Sequence, residues 1–307
     1  VPRDGWTEAE VPDQTGRTFL VTGANAGLGY ETARVLMQRG ARVILACRRP
    51  DAGEAAAARL RDLAPAARVE VALLDLADLA SVASCAAWVR DRVGAVDCLI
   101  NNAGIMGIPR AVTVDGFERQ LAVNHLGHFA LTGRLLPSLL AAPRPRVVTV
   151  TSEVYRLGRL DLTDPTGEQR YGRWRAYAQV KLANLLFARE LDHRARAAGA
   201  ALCSLAAHPG FAATGLQVSP ERRLPAPQRR LWEWATRHLG QSAAAGAWPT
   251  LRAATDPQAG GGTLYGPSRL AFGPAVVGTP SRRAADRETA RRLWDTSETL
   301  TGVRYPL

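Results

Sequence analysis

Tyr177 and Lys181 stand four residues apart in a 29-residue stretch, YGRWRAYAQVKLANLLFARELDHRARAAG, residues 171–199. On a helix that spacing stacks both side chains on one face, one turn apart. A phenol beside a protonated amine is a natural proton donor, because the positive charge favours the phenolate and lowers the phenol's pKa. Lys181 is the only lysine; the other 38 of the 39 basic residues are arginine. The one compact, movable ammonium therefore stands where it differs chemically from a planar guanidinium fork. Taken alone, a YxxxK pair is common and reads most simply as two surface residues on a helix. The elements around it must decide.

Residues 1–16 are polar, with Pro2, Pro12 and Gly16, and read as a short N-terminal arm. RTFLVTG then reads as an apolar strand, GANAGLG as a glycine turn and YETARVLMQRG as a helix with 3.6-residue periodicity. Gly23, Gly27 and Gly29 give the pattern TGxxxGxG. The first glycine permits a tight turn, and the later ones let backbone approach a pyrophosphate and let the helix pack on the sheet. The helix N-terminus offers N–H groups and partial positive charge to phosphate.

The second strand, ARVILAC, ends in Arg48-Arg49, with no carboxylate before Asp51. An acidic residue there would hold a ribose 2′-hydroxyl, whereas a guanidinium suits a 2′-phosphate, so NADP is favoured over NAD. DAGEAAAARLRDL reads as a helix, RVEVALLDL as a third strand closed by Asp75-Leu76, and LASVASCAAWVRDRV as the next helix. A fourth strand runs into Asn101-Asn102-Ala103-Gly104, where small residues let a flat adenosine lie against backbone and asparagines can satisfy strand ends.

Thr113 or Asp115 is expected to start a long helix, with Asp115 and Glu118 resembling a capping box. Asn124, His125, Gly127 and His128 interrupt its apolar run. A buried asparagine needs partners and can bend a helix or hold water. His125 and His128 lack a third ligand nearby and read as packing, not metal. RVVTVTS is a fifth strand ending at Ser152. Residues 153–170 form a polar segment long enough to be functional. ALCSLAAHPG is a sixth strand ending in His208-Pro209-Gly210, and GGTLYGP a seventh. A helix interrupted near Pro249 and a last helix over 283–297 complete the chain. The regular alternation, with no repeat or linker, predicts one doubly wound domain, residues 17–307, with a parallel sheet of about seven strands and ligand at the strands' carboxyl ends.

Composition sets bounds. With 307 residues, 47% hydrophobic and 22% charged, the chain reads as ordinary soluble globular protein. No apolar run reaches the roughly 18 residues of a membrane span, and no secretory signal is visible. The four scattered cysteines, without CxxC, read as reduced thiols, and the cytoplasm is expected. The net charge of +11 is spread over the chain without interleaved aromatic platforms, so no nucleic-acid partner is expected. Monomer and homodimer both stay open.

TGANAGLG (22–29), Asp75-Leu76, NNAG (101–104), Asn124, Ser152, YAQVK (177–181) and HPG (208–210) together resemble the short-chain dehydrogenase/reductase family in order and region, over about residues 17–266. LACR, NHLGHF and QVKLAN make the chain most similar to the retinol dehydrogenase and protochlorophyllide reductase-like branch, as does the 25-residue interval from Ser152 to Tyr177. Gln179-Val180 stands where serine is more usual before the lysine.

The resemblance implies a Rossmann fold and a catalytic set. Tyr177 would be general acid/base, Lys181 would lower its pKa and hold the nicotinamide ribose, Ser152 would polarise the substrate carbonyl, and Asn124 would hold a relay water. It also implies cofactor contacts at Gly23, Asn25, Gly27, Leu28, Gly29, Arg48, Asp75, Leu76, Asn102, Ala103, Gly104, Pro209, Gly210 and Thr214. The activity implied is NADP(H)-dependent oxidation or reduction of a lipophilic small molecule. Residues 211–240, with Phe211, Leu216, Trp232 and Trp234, would cover the substrate. A C=C or C=N reductase on the same scaffold and a non-catalytic NADP(H) sensor are the alternatives. The full Asn-Ser-Tyr-Lys set argues against the sensor.

Overall fold

The computed structural model describes residues 5–211 and 241–307. Thr214, Leu216, Trp232 and Trp234, and with them nearly all of the expected substrate cover, lie outside the described residues. Strand β1 (Thr18–Thr22) is buried along its whole length, as a central parallel strand covered on both faces must be. Its neighbours are β2 (Arg42–Cys47) and β4 (Cys98–Asn101). With β3 (Val69–Leu73), β5 (Arg146–Val150), β6 (Cys203–Ala207), β7 (Leu264–Pro267) and β8 (Ala275–Gly278), the described residues form an eight-stranded sheet in the order β3-β2-β1-β4-β5-β6-β7-β8. The order reverses between β1 and β4, which opens a crevice at their carboxyl ends.

Side-chain alternation sends Phe19, Val21, Val43, Leu45 and Ile100 to one face, where Leu36 of α1 (Gly27–Gln38), Leu60 of α2 (Pro50–Leu63) and Leu251 of α7 (Ala243–Thr255) meet them. Leu20, Ile44, Leu99 and Val147 face the other way, toward α3 (Leu79–Arg92), α5 (Gly127–Leu140) and α6 (Arg173–Ala197). α8 (Arg287–Thr301) lies over α6 and drives Trp294 into a cluster with Phe129, Phe187 and Tyr305. Tyr305 donates to the Phe129 carbonyl at 2.6 Å, and Gly133 has no Cβ where Val303 and Tyr305 press on it. Full burial of one such aromatic contributes about 2–3 kcal/mol.

Several elements differ from expectation for local reasons. β8 is an added, antiparallel strand paired with β7. The segment before α5 begins with the short α4 (Arg119–Leu121), N-capped by Glu118, which accepts from the amides of Gln120 and Leu121. Asp115 instead accepts from the Leu79 amide at the start of α3. Helix α7 passes through Pro249 unbroken, since its buried face (Ala247, Leu251, Ala254) outweighs one missing hydrogen bond. The last helix starts at Arg287, capped by Asp286, and a separate 3₁₀ turn covers Arg283–Ala285. The 153–170 segment opens with a 3₁₀ turn, Glu153–Leu157. Ahead of β1, Trp6 bridges to Ala275 of β8, Val11 is buried, and Thr7 and Glu10 form a capping box. All four cysteines are free.

Candidate active site

The crevice at the switch point begins with glycines whose shape is forced by neighbours. Gly23 turns at φ +65, where a Cβ would lie 3.0 Å from Ala103. A Cβ on Gly29 would fall 2.5 Å from Asn102 Nδ2 and 2.6 Å from the Gly23 carbonyl. The β1 turn, α1 and the Asn102–Gly104 turn are therefore in mutual contact. Thr22 fastens them: its hydroxyl oxygen accepts from the amides of Asn102 and Ala103, both at 2.9 Å, and Asn102 Nδ2 donates to its carbonyl at 2.7 Å. At the start of α1, Ala26 offers no side-chain cap, so the first amides of a 12-residue helix are left for an anion. Gly29→Ala is expected to destabilise by about 1–3 kcal/mol through overpacking. It should also weaken dinucleotide binding, which a thermal melt with and without nucleotide would show.

Tyr177 and Lys181 lie on α6 as their spacing requires, with Lys181 Nζ 5.7 Å from the Tyr177 ring centroid. Tyr177 packs with Leu121, Leu126 and Val180. Lys181 is 3% exposed and donates to the Val150 carbonyl at 3.3 Å, which Asn184 Nδ2 also reaches at 3.2 Å. Burial pushes its amine down to about 8. Thr151, at the end of β5, donates to the Lys181 carbonyl at 2.6 Å and ties strand to helix. Ser152 follows, extended, capping the 3₁₀ turn through Val154 N–H. Gly158 admits this turn against α6, since a Cβ there would strike the Ala178 carbonyl at 2.4 Å.

Asn124 sits in a π-helical segment, Ala122–Leu126, between α4 and α5. Such insertions are frequent at functional sites. Its side chain is fully buried and occupied with backbone: Oδ1 accepts from Ile105 N–H at 3.1 Å, and Nδ2 donates to the carbonyls of Ile105 and Gln120. A Cβ on Gly104 would lie 2.5 Å from Asn124 Oδ1 and 3.6 Å from Lys181 Nζ, so the Asn102–Gly104 turn passes directly over both. The side chain thus sets backbone rather than facing open space. Gly127, next in the helix, lets the Leu76 carbonyl approach.

These parts line one cleft of about 970 Å³. Gly23, Asn25, Gly27, Leu28, Gly29, Arg48, Asp75, Leu76, Asn102, Ala103, Gly104, Ser152, Tyr177, Lys181, Pro209 and Gly210 all border it. Asn124 lies behind the wall, and Thr214 is outside the described residues. Arg48 and Arg49 are exposed at its rim, at the end of β2. The cradle of glycines, the uncapped helix start and the rim guanidinium groups fit a dinucleotide. Sequence reasoning missed Met106, Glu153, Val154, Trp174, Leu270 and Ala271, which also line the cleft. Trp174 carried a signal, three residues before Tyr177 on the same helix face, and stacks on Gly107. Leu270 and Ala271 come from a turn after β7 that packs on Gly210, and Leu270 is left-handed at φ +59. No group of three metal-ligating side chains occurs, and no helix is long and apolar enough to cross a membrane, among the described residues.

Comparison with known proteins agrees with this geometry. The family model of the short chain dehydrogenases matches residues 17–223. Retinol dehydrogenase 14 of Mus musculus is 37% identical, over 94% of this chain and 86% of its own length. Retinol dehydrogenase 12 of Homo sapiens is 38% identical, over 97% and 90%. A crystal structure of an uncharacterised protein from Mycobacterium paratuberculosis is similar at TM-score 0.82 and 45% identity, over 99% of this chain and 100% of that one. A structure from Beutenbergia cavernae, described as an NAD(P) dependent gluconate 5-dehydrogenase with bound NADP, matches at TM-score 0.64 and 27% identity, over 83% and 96%. The chain belongs to the short-chain dehydrogenase/reductase family, in its retinol dehydrogenase-like branch.

Proposed function

We propose that the chain is an NADP(H)-dependent oxidoreductase that interconverts a carbonyl and an alcohol on a lipophilic small molecule, with Tyr177 as general acid/base. One observation carries the reading. The chain's only lysine is buried on the same cleft wall as Tyr177, under the turn that closes the nucleotide cradle. An ammonium is kept in so dry a place only where its charge has work to do.

When bound, NADPH would supply the hydride. In reduction Tyr177 Oη gives its proton to the substrate oxygen while the Ser152 hydroxyl donates a hydrogen bond to the same atom. Lys181 stabilises the phenolate left behind and would hold the ribose of a bound nicotinamide nucleotide. In oxidation the proton moves the other way. Asn124 keeps the Ile105 backbone beside this pair. The apolar lining from Met106, Val154, Trp174, Phe211 and Leu270 supports a lipophilic substrate, as do the names of the retinol dehydrogenase relatives.

Arg48 and Arg49 support NADP(H) over NAD(H), as does the NADP held by the Beutenbergia cavernae relative. Replacing both with alanine is expected to weaken NADPH binding about tenfold or more and leave NADH nearly unchanged. An unaltered NADPH/NADH preference would overturn the assignment. The reading as a whole is tested by NADPH fluorescence titration, then by a panel of aldehydes, ketones and polycyclic quinones followed by cofactor absorbance. Purified protein that binds no NADPH would refute it.

A further inference from the structure

His128 sits in the first turn of α5, one turn after Asn124, 1% exposed and off the cleft wall. Its Nδ1 lies 3.2 Å from the Asn124 carbonyl oxygen and its Nε2 2.9 Å from the Thr22 hydroxyl. The chemistry of the partners places the protons. A carbonyl only accepts, so Nδ1 carries the hydrogen. Burial, with a smaller push from the Lys181 charge, holds the ring neutral by taking its pKa down to about 3, so Nε2 accepts.

The Thr22 oxygen already accepts from Asn102 and Ala103, and its own hydrogen goes to Nε2 at 2.9 Å rather than to the Ile100 carbonyl at 3.4 Å. A one-way chain results: amides of the Asn102–Ala103 turn, Thr22 hydroxyl, His128 ring, Asn124 carbonyl. Each member polarises the next. The backbone of His128 is tied to the sheet, because its carbonyl accepts from Thr132, whose hydroxyl oxygen accepts from Asn101 at the end of β4.

We propose that His128 is a positioning residue that couples the nucleotide cradle to the proton-handling end of the site. It fixes the Thr22 hydroxyl that holds the Asn102–Gly104 turn and, through its other nitrogen, the backbone of Asn124, whose side chain lies under the same turn as Lys181. The Asn124 side chain has both of its amide hydrogens engaged by backbone carbonyls. Those bonds, with the one Oδ1 accepts from Ile105 N–H, hold the turn that passes over Lys181, and His128 steadies the helix backbone that carries the side chain. A histidine serving only as core filling would need size and no directed polarity. This role needs a donor and an acceptor on opposite ends of one side chain. The part of the proposal that concerns turnover rests on the reading of Tyr177 and Lys181 above.

The test compares His128→Leu, which keeps bulk and loses both hydrogen bonds, with His128→Gln, whose terminal amide reaches about as far as Nε2 and can again accept from the Thr22 hydroxyl. NADPH affinity is read by fluorescence without substrate, and kcat and KM with the fastest carbonyl of the panel. His128→Leu is expected to weaken NADPH binding about tenfold and to lower kcat about tenfold. The KM for the carbonyl should stay unchanged, and His128→Gln should recover most of the NADPH affinity, the arm that runs through Thr22. Equal impairment of the two variants, each checked as folded by circular dichroism, would reduce His128 to packing and overturn the proposal. So would His128→Leu with unchanged NADPH affinity.

If His128→Leu does not fold, Thr22→Val against Thr22→Ser decides. Coupling predicts that Thr22→Val lowers kcat as well as NADPH affinity while Thr22→Ser spares both. A kcat untouched by Thr22→Val overturns the link. Parent protein that binds NADPH and turns over nothing would count against the functional reading alone, since the NADPH arm needs no turnover.

Discussion

Tyr177→Phe should lose about 10³-fold in turnover, within the usual contribution of a positioned general acid, while NADPH affinity stays within about threefold of the parent. The substitution removes one oxygen. The ring keeps its packing against Leu121, Leu126 and Val180, and Lys181 keeps its donation to the Val150 carbonyl. What disappears is the proton that must reach the substrate oxygen as hydride reaches carbon. Water cannot easily replace it, since Tyr177 is only 6% exposed. Rapid mixing with NADPH in excess separates the two measurements. Turnover equal to the parent's would refute the assignment of Tyr177, whatever the affinity.

Lys181→Met should separate activity from stability in opposite directions. The amine's pKa is lowered from 10.5 to about 8 in the folded chain. Between those values the unfolded state binds more protons, so the stability of the parent rises with pH across that window. Below pH 8 the lysine imposes a constant penalty of up to about 3 kcal/mol, the equivalent of the pKa difference. Methionine fills similar space without charge, and the Val150 carbonyl keeps Asn184 as donor. The variant is therefore expected to be more stable at pH 7, by an amount that shrinks toward zero as pH approaches 10.5. Its turnover should fall about 10²-fold or more. Urea melts at pH 7 and pH 10 check the first half, and loss of stability at pH 7 would contradict it. In the parent, reduction should slow above about pH 8 as the ammonium deprotonates.

Most of the cleft was legible in the sequence because its residues answer to backbone geometry. Gly23 and Gly29 are required where Ala103, Asn102 and the Gly23 carbonyl crowd them. That Tyr177 and Lys181 share a helix face follows from their spacing, and the motifs around them supply the rest. What escaped depends on contacts between distant segments. Asp115 and Glu118 both fit a capping box, and only the approach of Leu79 decides which carboxylate caps the helix. β8 is four residues long, AVVG, too short to stand out until β7 lies beside it. Leu270 enters the cleft through a turn whose left-handed residue no propensity would predict. His125 and His128 were read together as packing, yet only His128 is bonded at both nitrogens. His125 reaches Ser297 of α8 through Nε2. That distinction belongs to the folded helix pair and not to the motif.

A chain with a single lysine contains a single ε-amine, and here that amine borders the cleft. Near neutral pH an ordinary lysine is almost wholly protonated and unreactive, whereas one titrating near 8 presents an appreciable fraction of free amine. An amine-directed acylating label small enough to enter the cleft is expected to mark this one side chain, apart from any α-amine. Bound nucleotide would shield that side chain. The extent of labelling, read as a mass increment on the peptide carrying residue 181, becomes an occupancy meter for the cleft that needs no substrate.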